Sequence, residues 1–306
     1  MSRRDPRNIP ASVRTRLLNL ARQSGEEFHQ QLQYYAIERF LFRLSRTEWS
    51  DRLVVKGAAM FRAWGTPLGR PTRDIDFLGR IDSSPTAIEH VVRDCLAIEH
   101  PEDGIVFNPE IEVSEINVAD RYPGIRAVIR GYLDGAVFRL QLDIGIDDAV
   151  VPEPAWVDYP TMLDLEAPRI LAYLPVTALA EKFETIVSRG LGNSRLRDYY
   201  DLWLVPSLNP FSGSEVQAAF EGTFSHRGTA IPGVLPDGLS ETFYDDAQRQ
   251  GDWRAYIMGR RLAAPETLSE VRAAIADFVT PPSIAIARRV DFDLEWTPDS
   301  GWHSSP

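Results

Sequence analysis

Asp74 and Asp76 stand two residues apart in RDIDFLG, a run that reads as a short strand, so the period of two puts both carboxylates on one face. Carboxylates that close raise each other's pKa unless a cation lies between them. A divalent metal is the natural cation, because Mg2+ is held by one or two carboxylates together with the phosphates of a substrate. Asp143 can join the pair. In AVFRLQLDIGI the residues Phe138, Leu140, Leu142, Ile144 and Ile146 alternate with Arg139, Gln141 and Asp143, which places Asp143 on the polar side of a second strand. Upstream, Lys56-Gly57-Ala58-Ala59 joins the strand RLVVK to a helical turn through small residues, so a phosphate can approach backbone N–H groups there. Metal-assisted chemistry on a phosphate is the reaction class these residue types suit.

The basic residues add a second signal. The chain holds 31 Arg and two Lys, Lys56 and Lys182. A position that keeps Lys under such a bias is a candidate for needing a compact ammonium rather than a planar fork. Lys182 lies in a helix predicted over Thr177 to Arg189, where it shares a stripe with Ile186 and Arg189. On the next helix, Arg195 to Val205, Arg197 and Asp201 are four apart with Asp198 beside them. Charges set among Phe183, Tyr199, Leu202 and Trp203 read either as a semi-buried polar network serving a site or as structural salt bridges between neighbouring helices.

The elements that must position these groups are legible in outline. Ala11 to about Arg46 has helical periodicity, broken at Ser24-Gly25. A short strand over residues 52–57, a helical turn from Ala58 to Trp64, a Gly- and Pro-rich loop from Gly65 to Thr72, the Asp74 strand and a helix over Thr86 to Ala97 follow. Ile125 to Tyr132 and Ala136 to Ile146 form a hairpin around Leu133-Asp134-Gly135, since Asp-Gly is a strong turn signal. Beyond the proline-rich stretch 152–175 come the two helices just named, a loop-rich segment 206–250, a helix near 266–279 and a tail expected to be mobile and acidic. No internal repeat occurs.

Composition excludes several classes. With 44% hydrophobic and 25% charged residues the chain is globular rather than disordered. One cysteine, Cys95, allows neither an internal disulfide nor a cysteine-based zinc site, and the five histidines lack ligand spacing. The absence of an apolar run of about 18 residues and of a leader-like start predicts a soluble, cytoplasmic protein without a membrane partner. The net charge of -11 speaks against a polyanionic partner, but residues 1–52 carry ten Arg against six acids. Arg14, Arg16, Arg22, Arg39 and Arg43 on the leading helices are therefore candidates for phosphate contacts, unless they pair with Glu26, Glu27 or Glu38.

Strand, small-residue turn, helix, Asp-x-Asp strand and a third Asp on a later strand is the layout of polymerase-beta-type nucleotidyltransferases. Within that group, LVVKGAAMFRAWGTPLGRPTRDIDFLG, the later EKFETIVSRG and the RLRDYYDLW behind it resemble the AbiEii-type nucleotidyltransferases, toxins of bacterial abortive-infection toxin/antitoxin pairs. The helical leader also looks like the family's N-terminal segment. The resemblance spans roughly residues 10–205, with four motifs in order. It departs at Ala58 and Ala59, where the family frequently has a second glycine and the wider superfamily a Gly-Ser pair, so no hydroxyl is offered to a phosphate at that turn.

The resemblance implies an α+β fold: a polymerase-beta-like core of mixed sheet and helices over residues 51–160, an N-terminal helical segment over 1–50, a C-terminal helical region over 161–290 and the tail over 291–306. It implies that Asp74, Asp76 and Asp143 bind two Mg2+ or Mn2+ ions and that Lys56 and Gly57 belong to the nucleotide-binding turn. Arg70 and Thr72 sit in the lead-in to Asp74. Lys182 and Asp201 would be the charged residues of the later helices, Asp201 orienting Lys182, with Arg189 or Arg197 assisting at the phosphates. The implied reaction moves NMP from an NTP to an RNA acceptor, with the tRNA 3′ end the leading candidate and a cognate antitoxin as partner. A phosphate attached to the Thr72 hydroxyl would set negative charge against the carboxylates and silence the site. Alternatives are an aminoglycoside-like small-molecule acceptor, a protein hydroxyl, or a binding module without activity.

Because Lys56 and Lys182 are the only basic positions not written as Arg, Lys56→Arg and Lys182→Arg should each impair nucleotidyl transfer despite conserving charge. Turnover with labelled NTP measures this, and near-normal rates in either variant would return that lysine to chance placement.

Overall fold

The computed structural model describes residues 8–66, 72–118, 122–146 and 150–304. These form two units. The first holds the chain up to Ala63, the stretch from the Asp74 strand through the hairpin, and Ala155–Ala172; the second holds Tyr173 onward together with Trp64 and the short segment ending at Pro154.

The first unit begins with helix α1 (Ile9–Ser24), started by the Asn8 side chain accepting from the Ala11 amide and stopped by Gly25 in the left-handed region. Helix α2 (Phe28–Leu44) follows, then strand β1 (Leu53–Lys56), a 3-10 turn (Gly57–Ala59), helix α3 (Met60–Ala63), strand β2 (Asp74–Gly79) and helix α4 (Pro85–Ala97). Strands β3 (Val106–Val118), β4 (Tyr122–Leu133), β5 (Ala136–Ile146), β6 (Ala155–Asp158) and β7 (Arg169–Ala172) complete it. The seven strands form one mixed sheet in the order β3-β4-β5-β2-β1-β7-β6. The β2–β5 and β1–β7 pairs are parallel and the others antiparallel. One face is apolar: Phe138, Leu140, Leu142 and Ile144 of β5 and Ile75 and Phe77 of β2 are all buried. Val13, Leu17, Leu32, Tyr35 and Ala36 from the leading helices share a core with Leu133 and Phe138.

Helices α1 and α2 fall within the sheet unit, which includes residues up to Ala172. Not all of their arginines face solvent. Arg39 and Arg43 are 0% and 4% exposed, paired with Glu38 at 2.7 Å and Asp103 at 2.6 Å, so neither can meet a phosphate. The long strand β3 is hard to read in the sequence because Asn108-Pro109 interrupts it and Glu115 takes an apolar place in its alternation, and β6 and β7 lie in the proline-rich stretch.

The second unit is helical. Helices α5 (Pro175–Arg189) and α6 (Leu196–Leu204) match expectation closely. Strand β8 (Phe211–Ser212) and helices α7 (Gly213–Arg227) and α8 (Glu241–Tyr244) occupy the segment expected to be loop-rich, and helix α9 (Ala247–Gly259) begins at its end and runs past residue 250. Helix α10 (Leu268–Arg288) runs past Pro281 and Pro282, beyond the end expected near residue 279. Pro282 cannot donate to the Phe278 carbonyl one turn back, and the Trp302 indole donates to it instead at 2.9 Å. Trp302 comes from the chain's last strand. Strands β9 (Leu294–Thr297) and β10 (Gly301–Ser304) form a three-stranded sheet with β8, and Trp296 and Trp302 pack on Phe278. Within the stretch expected to be a mobile tail, Leu294–Thr297 and Gly301–Ser304 thus pair as a hairpin that two tryptophans anchor. Among the described residues no helix is long and apolar enough to cross a membrane.

The Arg43–Asp103 pair is completed by the Ile105 amide donating to Asp103 at 2.8 Å, and Tyr35 donates to the Asp103 carbonyl. Removing one partner strands a buried charge, so Asp103→Ala should cost about 3–5 kcal/mol. Arg14→Ala, which breaks an exposed pair with Asp134 at 3.6 Å, should cost no more than about 1 kcal/mol. Urea unfolding of the two variants measures the contrast.

Candidate active site

Strand register builds the site. Lys56 of β1 lies opposite Asp76 of β2, Asp76 lies beside Asp143 of β5, and Asp143 lies opposite Arg126 of β4. Register partners project to the same face, so four strands contribute one cross-strand row that reads cation, anion, anion, cation. It runs along the polar face of the sheet, and its members are all half-buried. One step along the strands, Asp74 lies beside Gln141 and Gln141 opposite Val128, which brings the second carboxylate of the Asp-x-Asp pair to the same face.

Each carboxylate is held. Arg126 grips Asp143 with both prongs of its guanidinium, Nε to Oδ1 at 2.7 Å and Nη2 to Oδ2 at 2.8 Å, and the Gln141 amide donates to Oδ2 at 3.2 Å. These hydrogen bonds raise the Arg126 pKa above its ordinary value; partial burial opposes the shift, and the charges of Asp143, Asp74 and Asp76 reinforce it. Asp74 accepts from the Thr72 hydroxyl at 3.0 Å and from the Arg73 amide at 3.1 Å, which fixes its carboxylate over the loop that leads into β2. The Thr72 hydroxyl is buried and already committed to that carboxylate.

Asp76 rests against the small-residue turn. Gly57 has φ +73, and a Cβ built on it would lie 2.0 Å from Asp76 Oδ2. Only glycine meets both requirements, the left-handed backbone and the space for the carboxylate. Tyr159, itself buried, donates to the Ala59 carbonyl at 3.0 Å and ties this turn down from the far end of the unit's sequence.

The three carboxylates are therefore neighbours, but among the described residues they do not close into a ready-made cage of three metal ligands. Both oxygens of Asp143 are engaged by Arg126. The donors are hard oxygens without sulfur or imidazole, a set that suits Mg2+ or Mn2+ rather than a softer metal. Asp74, Asp76 and Asp143 offer the oxygen donors such an ion takes, those of Asp143 being held by Arg126.

The second unit gathers the later charged motif. Lys182 Nζ on α5 lies 2.7 Å from Asp201 and 3.6 Å from Asp198, both on α6, and Asp201 is fully buried. Arg195, not Arg197, completes this cluster through Asp198 at 2.8 Å. Arg197 is exposed, while Asp201 one turn later points inward to Lys182. Arg189 ends α5 and is half-buried. Arg70 lies outside the described residues.

Arg126 was missed in the sequence although a signal for it existed. Counting back along both arms from the two-residue Asp134-Gly135 turn puts Arg126 opposite Asp143. Arg73 carried no pattern that could distinguish it from the other 30 arginines.

Comparison with known proteins places the chain in a family. The profile of the family described as nucleotidyl transferase AbiEii toxin, type IV toxin–antitoxin system, matches residues 39–278. Among solved structures, the nucleotidyltransferase toxin MenT4 of Mycobacterium tuberculosis H37Rv is similar with a TM-score of 0.53 and 17% identity, covering 92% of this chain and 90% of that one. JHP933 from Helicobacter pylori gives a TM-score of 0.41 and 14% identity over 82% of this chain and 89% of its own. No curated protein sequence matches. With its carboxylate row, its glycine turn and a family profile that spans most of its length, the chain belongs to the AbiEii nucleotidyltransferase toxins of type IV toxin–antitoxin systems.

Proposed function

We propose that the protein transfers NMP from an NTP to a hydroxyl of an RNA acceptor, with the tRNA 3′ end as the leading candidate, in a reaction that depends on Mg2+ or Mn2+. The observation that carries this reading is the cross-strand row, in which Asp76 stands beside Asp143 and against the Gly57 turn. Asp74 and Asp76, with Asp143, would hold two ions. Such ions supply charge neutralisation at the phosphates and make the acceptor hydroxyl more acidic.

The chain's own residues do the rest. Gly57, Ala58 and Ala59 let the triphosphate approach their backbone, and Lys56 sets a compact positive charge beside Asp76. Arg126 keeps Asp143 aimed at the row and offsets its charge until substrate arrives. In the transfer the acceptor oxygen bonds to the α-phosphorus and the bond from that phosphorus to the bridging oxygen breaks. Pyrophosphate leaves with the electron pair, and the hydroxyl proton goes to water. Within the helical unit, Asp201 holds the Lys182 ammonium in one position, and we assign this pair the support of transfer that the family motif implies. A cationic, aminoglycoside-like acceptor is the weaker reading, because Arg73 and Arg139, which among the described residues pair with no carboxylate, line the cavity beside Asp74 and would repel it.

Two outcomes test the proposal. With purified protein, Mg2+ or Mn2+, each labelled NTP and total tRNA, label should move to RNA, chelation should stop it, and Asp76→Ala should remove essentially all turnover while the circular dichroism spectrum stays the same. Near-normal transfer by folded Asp76→Ala would sink the carboxylate assignment. Gly57→Ala should lower turnover at least about tenfold and cost about 1–2 kcal/mol in urea unfolding, because it strains the backbone and displaces Asp76; a variant as stable and active as wild type would remove Gly57 from the site.

A further inference from the structure

A cavity of about 480 Å3 opens beside the carboxylates, lined by Asp74 and Gln141 on one side and by Arg73, Arg139, His29 and Gln33 among its other walls. Its size is that of an ordinary small-ligand pocket. The walls are built rather than incidental. Gln33 of α2 is 2% exposed, and its amide donates to the Arg73 carbonyl at 2.9 Å and the Arg139 carbonyl at 3.1 Å. One side chain thus fixes the backbones that carry both arginines.

Elsewhere in the same unit Arg126, Arg130, Arg93 and Arg14 are each paired with a carboxylate. Arg73 and Arg139 are exposed and, among the described residues, have no carboxylate partner. Two uncompensated guanidiniums on one cavity are a site for an anion, and guanidinium matches phosphate oxygens in pairs.

Position decides which anion. The Gly57 turn continues β1, on one flank of β2, whereas the cavity lies along β5, on the other flank, with Asp74 and Asp76 between them. In-line displacement requires the attacking hydroxyl and the leaving pyrophosphate to approach from opposite sides. If the triphosphate occupies the turn, the acceptor must enter from the cavity. We propose that this cavity is the acceptor site and that Arg73 and Arg139 grip the phosphodiester next to the attacking hydroxyl of an RNA strand. This inference rests on the reading of the reaction given above and adds the acceptor's binding residues.

The test reads binding apart from chemistry. A fluorescent RNA oligonucleotide with a free 3′ hydroxyl is titrated by anisotropy, without NTP or metal, into wild type, Arg73→Gln, Arg139→Gln, the double variant and Arg93→Gln as an exposed control. Each cavity variant should weaken RNA binding about tenfold and lower the slope of log affinity against log salt by about one, whereas Arg93→Gln should change neither. In steady-state transfer the KM for RNA should rise with the KM for NTP unchanged. The proposal is overturned if the double variant binds RNA like wild type, if wild type binds no RNA, or if the loss falls on the KM for NTP, which would make the cavity a nucleotide site. A wild-type protein that binds RNA through these arginines yet moves no label from any NTP would instead refute the proposed reaction and leave the RNA site standing.

Discussion

Like charges cannot be crowded onto neighbouring strands without compensation, and the sheet unit is organised around that fact. Strands lie about 4.8 Å apart, and two unit charges at such a distance in a partly shielded setting repel by about 3 kcal/mol. Asp76 and Asp143 are so placed, with Asp74 one step away. The flanking positions of the same row are Lys56 and Arg126, so the resting protein brackets its anions with two cations of different kinds. The difference has a use. A guanidinium with two hydrogen bonds to Asp143 fixes direction, whereas the ammonium of a lysine is a compact charge with no fixed plane.

Much of the remaining architecture holds this row in register. The parallel β2–β5 pair sets Asp76 beside Asp143, and parallel strands need a long connection, here supplied by α4, β3 and β4. Gln33 joins α2 to the lead-in of β2 and to β5, and Tyr159 reaches the turn from beyond β6. The leading helices, which composition marked as a basic arm, serve largely as packing: they cover the apolar face, and Arg39 and Arg43 are sealed inside with Glu38 and Asp103. Burial raises the Glu38 carboxyl above its usual range, with Arg39 and the Met162 amide opposing the shift, which marks the cost of keeping that charge inside.

How far the sequence could be read follows from which signals were local. The Asp-x-Asp strand, the glycine turn, the Asp-Gly hairpin, α5 and α6 announce themselves within a dozen residues, and the polar face of β5 was visible as strict alternation. What could not be read depended on partners distant in the chain. Two prolines argue that a helix stops, and nothing near Pro282 reveals that Trp302 will satisfy the carbonyl it leaves bare. A tail rich in Asp looks mobile until its tryptophans meet Phe278. Strand β3 hides behind Asn108-Pro109 and Glu115, and the basic arm could be told from buried ion pairs only once Asp103 was known to stand beside Arg43. At the site itself, the carboxylates were legible and their cations were not, apart from Lys56.

The Asp134-Gly135 turn carries more than its own two residues. Both have positive φ, 45° and 79°, the tight reversal that leaves Leu133 opposite Ala136. Every later pairing in the hairpin inherits that count, and the last of consequence is Arg126 with Asp143. Because side chains alternate faces, a loop one residue longer would present the wrong side of a strand to its neighbour without altering a single charged residue. The turn therefore acts as a reading frame kept by the backbone, and a constraint that belongs to chemistry is enforced at a hairpin tip that takes no part in it.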